Sequence, residues 1–304
     1  MKRLGIRLSA AGAALGSLAL CACGGGVLDP AGPVSQSERL ILIDSLVIML
    51  AIVVPTILCT LAFAWWYRAS NARAAYAPRW CYSGRLELLV WSIPALAVCF
   101  LGGIAWIGSH ELDPAKPLSA HREPLEVQVV ALDWKWLFIY PGQHVASVNR
   151  LVIPADTPVH FRLTSASVMN VFFVPRLGSE IYAMNGMVTE LNLAADQAGT
   201  YRGLAAHFNG DGFSDMSFEA RALAPEEFAR WIAAVQTDGP TLDEMAYAGL
   251  LRQSTILAPY TYCAVVSGLF DEIASQRLPA GQGPRVSKLE SPMTSAVAQA
   301  LKGR

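Results

Sequence analysis

The sequence predicts a two-helix transmembrane hairpin, then an all-β Greek-key sandwich, then a C-terminal helical arm. Three observations carry that expectation. Two tracts in the first third, 40–67 and 88–107, stay apolar over the roughly twenty residues that a helix needs to cross a hydrocarbon core of about 30 Å. From 124 to 223 the apolar residues come instead in short runs at a rhythm of roughly ten, punctuated by Pro and Gly. From Pro225 they recur at helical spacing. Composition agrees with a membrane protein that carries a soluble domain: of 304 residues, 53% are hydrophobic and 15% charged, with a formal net charge of −1. That balance leaves no basic field for nucleic acid.

The N-terminus opens with Lys2, Arg3 and Arg7 ahead of a small and apolar run, and residues 1–22 read as a secretory signal. The run ends in Leu20-Cys21-Ala22-Cys23. A bacterial lipoprotein signal wants an aliphatic residue three positions before the modified Cys and a small one just before it. Leu20 and Ala22 serve Cys23 in that way, so Cys23 is the lipidation candidate, with 23–39 as a periplasmic segment. An unmodified signal anchor with incidental cysteines is the bland alternative.

The first span, 40–67, contains one acid, Asp44, near its outer end and closes on Trp65-Trp66-Tyr67-Arg68, an ending suited to headgroups. Pro55 and Pro94 lie inside the two spans. Neighbouring helices must then satisfy the freed carbonyls, which predicts packing against a partner. The loop 68–87 holds Arg68, Arg73, Arg79 and Arg85 against the single acid Glu87, so the positive-inside rule puts it in the cytoplasm and both chain ends outside. A cleaved lipoprotein N-terminus must also be outside, and the two signals agree.

Residues 108–123 form a Pro-marked linker. Strands are expected at 125–131, 134–140, 159–164, 168–174 and 189–194, in an antiparallel sandwich. Trp134 and Trp136 alternate with Lys135, which on a strand would put both indoles on one side, for core or interface packing. In the arm, 224–278, Pro225-Glu226-Glu227 is a helix start, and Phe228, Trp231, Ile232 and Val235 share a face. A second helical stretch follows at 242–251, and the tail 279–304 has a flexible composition. Cys59 and Cys99 sit in the spans, Cys81 in the loop and Cys263 in the arm, with no evident disulfide framework. No zinc-helix motif, phosphate loop or nucleophile turn supports a hydrolase or nucleotide enzyme.

The informative stretch runs from Ser167 to Met216. Its first half is Ser167-Val168-Met169-Asn170-Val171-Phe172-Phe173-Val174-Pro175. Its second is Gly199-Thr200-Tyr201-Arg202-Gly203, continuing through Ala205, His207, Asn209, Gly210 and Phe213 to Met216. The spacing is that of a dinuclear copper site, yet Asn, Ala and Phe supply neither thiolate nor imidazole. This frame resembles subunit II of the haem-copper oxidases. The resemblance implies that copper-bearing members carry His at 170, Cys at 205 and 209, a carbonyl-donating Glu at 207, His at 213 and Met at 216. Only Met216 survives here, and His207 beside Phe208 reads as a surface or packing residue.

Ligand loss on a retained frame makes the chain most similar to subunit II of cytochrome bo-type ubiquinol oxidases. The likeness spans about 28 to the early 220s and includes Asp133-Trp134-Lys135-Trp136 and Arg176-Leu177-Gly178-Ser179. It implies a cupredoxin-like sandwich and a non-catalytic subunit of a proton-pumping ubiquinol:oxygen oxidoreductase in the bacterial inner membrane. No cofactor is expected on this chain. The haems and a single copper would lie in subunit I, ubiquinol would be the substrate of the complex, and subunit I, smaller membrane subunits and the bilayer would be the partners. Glu87, in a run similar to the family segment that feeds the Lys-type proton channel, is the proton-uptake candidate. Its alternative is an interfacial charge paired with Arg85 or a neighbouring subunit. Two other assignments stay open on the residues alone: a cytochrome c oxidase subunit with unusual metal ligands, and a stand-alone periplasmic lipoprotein binding module. A copper spectrum discriminates the first, and purification without a haem partner the second.

Overall fold

The structure is a computed structural model that describes residues 26–75, 77–118, 122–255 and 258–283. Cys23 with its signal, and the tail beyond 283, lie outside the described residues. The chain divides into two compact units, residues up to 116 with 175–178, and residues 117–174 with 179 onward.

The first unit is built on two helices, α1 (Pro33–Trp66) and α2 (Gly84–Glu111). Gly32 in extended conformation and Pro33 at the first helical position start α1, where a proline's missing N–H would be unused in any case. Ser35 Oγ accepts from Gly32 N (3.2 Å) and donates to the carbonyls of Gly32 (2.9 Å) and Arg176 (2.7 Å). Arg176 is in turn paired with Asp29 at 2.9 Å. At the far end Arg68 Nη1 donates to Trp65 O (2.7 Å) and Asn71 Nδ2 to Trp66 O (2.6 Å), so side chains satisfy carbonyls the helix leaves open.

Both helices begin before the expected span limits and α2 also ends beyond its own, because backbone hydrogen bonding continues outside the apolar window. The helix α1 is about 50 Å long at roughly 1.5 Å per residue, well beyond a core of about 30 Å. The loop correspondingly closes at Ser83, and Glu87 lies in the first turn of α2, not in the loop. A Cβ on Gly108 would come within 2.8 Å of Ile41 Cδ1, so α1 and α2 approach closely there. Elsewhere almost none of their apolar surface is buried within the chain.

The second unit is a sandwich. Its strands are β1 (Leu125–Leu132), β2 (Lys135–Tyr140), β3 (Val145–Val148), β4 (Arg150–Pro154), β5 (Pro158–Ser165), β6 (Asn170–Phe173), β7 (Ile181–Ala183), β8 (Thr189–Ala194), β9 (Gly199–Ala205) and β10 (Ser217–Leu223). After it come α3 (Pro225–Thr237), β11 (Thr241–Leu242), α4 (Glu244–Leu250), β12 (Tyr260–Tyr262), β13 (Ala264–Val265) and α5 (Leu269–Ala274). One sheet has the order β12-β3-β2-β1-β5-β8 and the other β4-β10-β9-β6-β7.

Three expectations need correction. The sandwich is not wholly antiparallel, since β1 runs parallel to β5 and β4 to β10. Trp134 is not on a strand with Trp136: it has a positive φ of 64° and forms the β1–β2 turn, so β2 begins at Lys135. The arm is not purely helical, because β12 pairs with β3 and extends the six-stranded sheet.

That sheet is covered on both faces, and the alternation along β2 shows how. Trp136 and Phe138 point into the sandwich against Phe172 and Phe218, with ring centroids 5.1 to 6.5 Å apart. Leu137 and Ile139 point the other way, into a second core with Leu242, Tyr247, Leu250, Tyr262, Leu269, Phe270 and Ile273 of the arm. Every residue of β2 is therefore buried, which is why Lys-Trp-Leu-Phe-Ile-Tyr lacks the polar alternation of a half-solvated strand. Burial of each such aromatic or aliphatic side chain contributes about 1.5–3 kcal/mol.

Candidate functional site

The loops at the β6 and β9 end of the sandwich hold the predicted positions. Asn170 opens β6 and Ala205 closes β9, and the register Phe172↔Ala205 sets the two strands side by side. The following loop turns on Gly210, at a φ of 119°, and ends in a short 3-10 turn, Phe213–Asp215. Ala205 N donates to Met216 O (3.0 Å) and Ala206 N to Val171 O (3.1 Å), which folds the loop back onto the strand ends.

The result brings Asn170, Asn209 and Met216 together, all buried. Asn209 Nδ2 donates to Asn170 Oδ1 and to Met216 Sδ (2.9 Å), while Asn170 Nδ2 donates to Val168 O (2.8 Å). Asn209 Oδ1 is buried with no hydrogen-bond partner. His207 and Phe213 stand outside this trio. The His207 ring packs edge-on against Tyr182 (6.2 Å), and Phe213 against the exposed Phe208 (5.6 Å). As a donor set the trio does not fit a dinuclear copper. It offers one thioether, whose sulfur already faces an N–H, and two carboxamides that bond each other. Among the described residues no group of three or more His, Cys, Asp or Glu side chains could hold a metal.

A second polar cluster lies at the β1–β2 turn. Lys135 is 2% exposed, and its ammonium donates to Leu250 O (2.9 Å), Arg252 O (2.6 Å) and Ser254 Oγ (2.6 Å), which uses all three protons. Burial lowers its pKa, and the nearby Asp133 carboxylate opposes that shift. Asp133 accepts from Ser167 Oγ and from Gly283 N (3.0 Å). Trp134 between them packs on Gly212, where a Cβ would lie 2.4 Å from the indole and 2.6 Å from Thr255. Sequence reasoning singled out Trp134 here and passed over its charged neighbours. The signal was a Lys and an Asp bracketing an aromatic in an otherwise apolar run.

Glu87 is exposed on α2, and its backbone N–H donates to Ser83 O (3.0 Å). It makes no ion pair with Arg85, because residues two apart on a helix point away from each other.

The sandwich matches, over residues 127–222, the family model described as Cytochrome C oxidase subunit II, periplasmic domain, and its class is accordingly cupredoxin-like. Relatives narrow this. The chain is 46% identical to Ubiquinol oxidase subunit 2 of Acetobacter aceti over 272 residues, covering 89% of this chain and 88% of that one. It is 44% identical to Cytochrome bo(3) ubiquinol oxidase subunit 2 of Pseudomonas aeruginosa, covering 86% and 78%, and 45% identical to the subunit of that name from Pseudomonas putida, covering 79% and 76%. The chain belongs to the ubiquinol oxidase subunit 2 family, the non-catalytic second subunit of a multi-subunit membrane oxidoreductase. Two helices long and apolar enough to cross a membrane, followed by a domain of periplasmic type, fit an inner-membrane protein.

Proposed function

We propose that this chain braces the haem-copper subunit of a proton-pumping ubiquinol:oxygen oxidoreductase and carries no metal of its own. One observation carries the reading: where a copper-bearing subunit needs thiolates and imidazoles, Asn170, Asn209 and Met216 bond one another, and Ala205 and Phe213 offer no donor atom. A lipid-soluble donor delivers electrons within the bilayer and needs no external metal relay, so losing the ligands leaves the brace intact. The haems and the remaining copper belong to subunit I, with ubiquinol as the substrate of the complex. Copper and haem assayed in the purified complex should give only the copper of the oxygen site. A mixed-valence two-copper paramagnetic resonance signal overturns the reading.

Two further roles belong to the same proposal. Glu87, an unpaired carboxylate in the first turn of α2, takes up protons from the cytoplasm for the catalytic subunit. Glu87→Gln should slow oxygen reduction at unchanged haem content, while Arg85→Ala should not. Normal turnover in the Glu87 variant removes the role. Cys23, outside the described residues, carries a diacylglyceryl group. Intact mass should place the mature N-terminus at residue 23, and retention of residues 1–22 refutes it.

A further inference from the structure

We propose that the loop between α1 and α2, together with the first turn of α2, is a binding site for the headgroups of anionic phospholipids. The proposal rests on the reading of α1 and α2 as membrane spans. Arg68, Arg73, Arg79 and Arg85 are all exposed, and the sequence has no Asp or Glu between Asp44 and Glu87 to neutralise them. Elsewhere in the described chain six arginines lie within ion-pair distance of a carboxylate, Arg150 with Glu219 at 3.1 Å among them. None of these four does.

Their setting selects the ligand. Arg68 lies 4.7 Å over the Trp65 ring with Nη1 on Trp65 O (2.7 Å) and Nε on Ser70 Oγ (3.1 Å), which fixes the guanidinium at the end of the span. Trp65 and Trp80 are each 64% exposed, as indoles are where one edge meets acyl chains and the other meets headgroups. A guanidinium fork matches two phosphate oxygens, and each cation near an anionic leaflet adds to the attraction within a screening length of about 10 Å. A phosphodiester at the headgroup plane satisfies both the charge and the depth. A zwitterionic lipid supplies the same phosphate with its charge cancelled.

Cys81, exposed in the same loop, permits a local test. In the complete complex, with Cys59, Cys99 and Cys263 replaced by Ser, a fluorophore on Cys81 is quenched by nitroxide-labelled phosphatidylglycerol or phosphatidylcholine at equal mole fraction. Phosphatidylglycerol should quench roughly twofold more strongly or better, and the preference should vanish at about 1 M salt, where the screening length is near 3 Å. It should also vanish in the triple variant Arg73→Gln, Arg79→Gln, Arg85→Gln, which keeps Arg68 at its helix end. Equal quenching by the two lipids in the unmutated loop, or a preference unchanged in the triple variant, overturns the proposal. So does a Cys81 that no maleimide reaches in the assembled complex, which would mean that another subunit covers the loop. Impermeant maleimide applied to inverted vesicles and to spheroplasts reports separately which side the loop occupies, so a failure of the membrane topology is distinguishable from a failure of lipid binding.

Discussion

Two polar clusters are buried in the sandwich unit, and they are built on opposite principles. Asn170, Asn209 and Met216 form a neutral trio that leaves one amide oxygen without a partner. Asp133 and Lys135 bury opposite charges, and the ammonium spends every proton on residues 250–254 of the arm. The neutral trio joins residues of one loop cluster. The charged pair joins the sandwich to a segment more than a hundred residues away. The difference teaches where polar atoms carry weight: the amides between β6 and β9 fill a loop cluster, whereas the hairpin turn fastens the arm.

The largest expected effect tests the fastening. Lys135→Met leaves two carbonyls and one hydroxyl without their donor and removes the positive charge near Asp133. Stranding three acceptors of a buried ammonium in this way costs on the order of 3–5 kcal/mol. A thermal melt of the detergent-solubilised subunit should fall by about 10 °C, at roughly 2–4 °C per kcal/mol for a domain of this size. Trypsin should cut faster after the exposed Arg252. Unchanged cleavage there would show that the arm is held by its apolar core alone, and the contrast between the clusters would collapse.

A smaller effect is expected at the trio. Asn209→Ala removes the donor to Asn170 Oδ1 together with the unpartnered oxygen, so the loss should be about 1–2 kcal/mol. Replacing both amides, Asn170→Val with Asn209→Leu, should cost less than the single change, because neither amide is then stranded and Val168 O keeps the Ser165 hydroxyl as a donor. Oxygen reduction by the complex should stay at the level of the unmodified protein. A fall in turnover at full haem content would show that the trio serves the chemistry after all.

The smallest effect is on pH dependence. Burial lowers the Lys135 pKa from its ordinary 10.5, so the unfolded chain holds this proton more tightly than the folded one. The contribution of Lys135 to stability therefore rises with pH between the lowered value and 10.5. Tyr140, Tyr247 and Tyr262 shift the other way. Burial raises each above the ordinary 10.0, so their contribution is complete below that pH and is lost above it. Stability should hold on the alkaline side of neutrality and fall above about pH 10, with the rings of Tyr140, Tyr247 and Tyr262 ionising only as the domain unfolds. Ionisation of Tyr140, Tyr247 or Tyr262 in the folded domain near pH 10, followed by the ring NMR signals of each, would contradict this.

The spans, the frame and the amphipathic face of α3 were legible because each is written locally. Twenty apolar residues, a ligand spacing, and the set Phe228, Ile232 and Val235 all declare themselves within one stretch, and the last three are indeed buried. The turn at Trp134 was not legible, because Asp-Trp-Lys-Trp alternates like a strand and only the positive φ of Trp134 breaks it. Lys135 reads as solvated until carbonyls from 250 and 252 arrive. The parallel pairing of β1 with β5 and the addition of β12 to β3 depend on partners distant in sequence, and Tyr260-Thr261-Tyr262, though of strand-forming types, is too short to declare a strand by itself. The spacing singled out Asn170, Asn209 and Met216, which the fold brings together, yet it could not show that Asn209 turns inward while His207 and Phe213 pack elsewhere.

The pairing of β12 with β3 also orders the birth of the molecule. Synthesis runs from the N-terminus, so β3 is exported with an open edge and with Leu137, Ile139 and Val148 uncovered until residues 242–273 follow. Such distant pairing is slow to form. The nascent domain thus spends the interval with an open edge exposed to wrong partners, and a ribosome that stops before Tyr260 releases a chain with a sticky sheet edge that no later step can close.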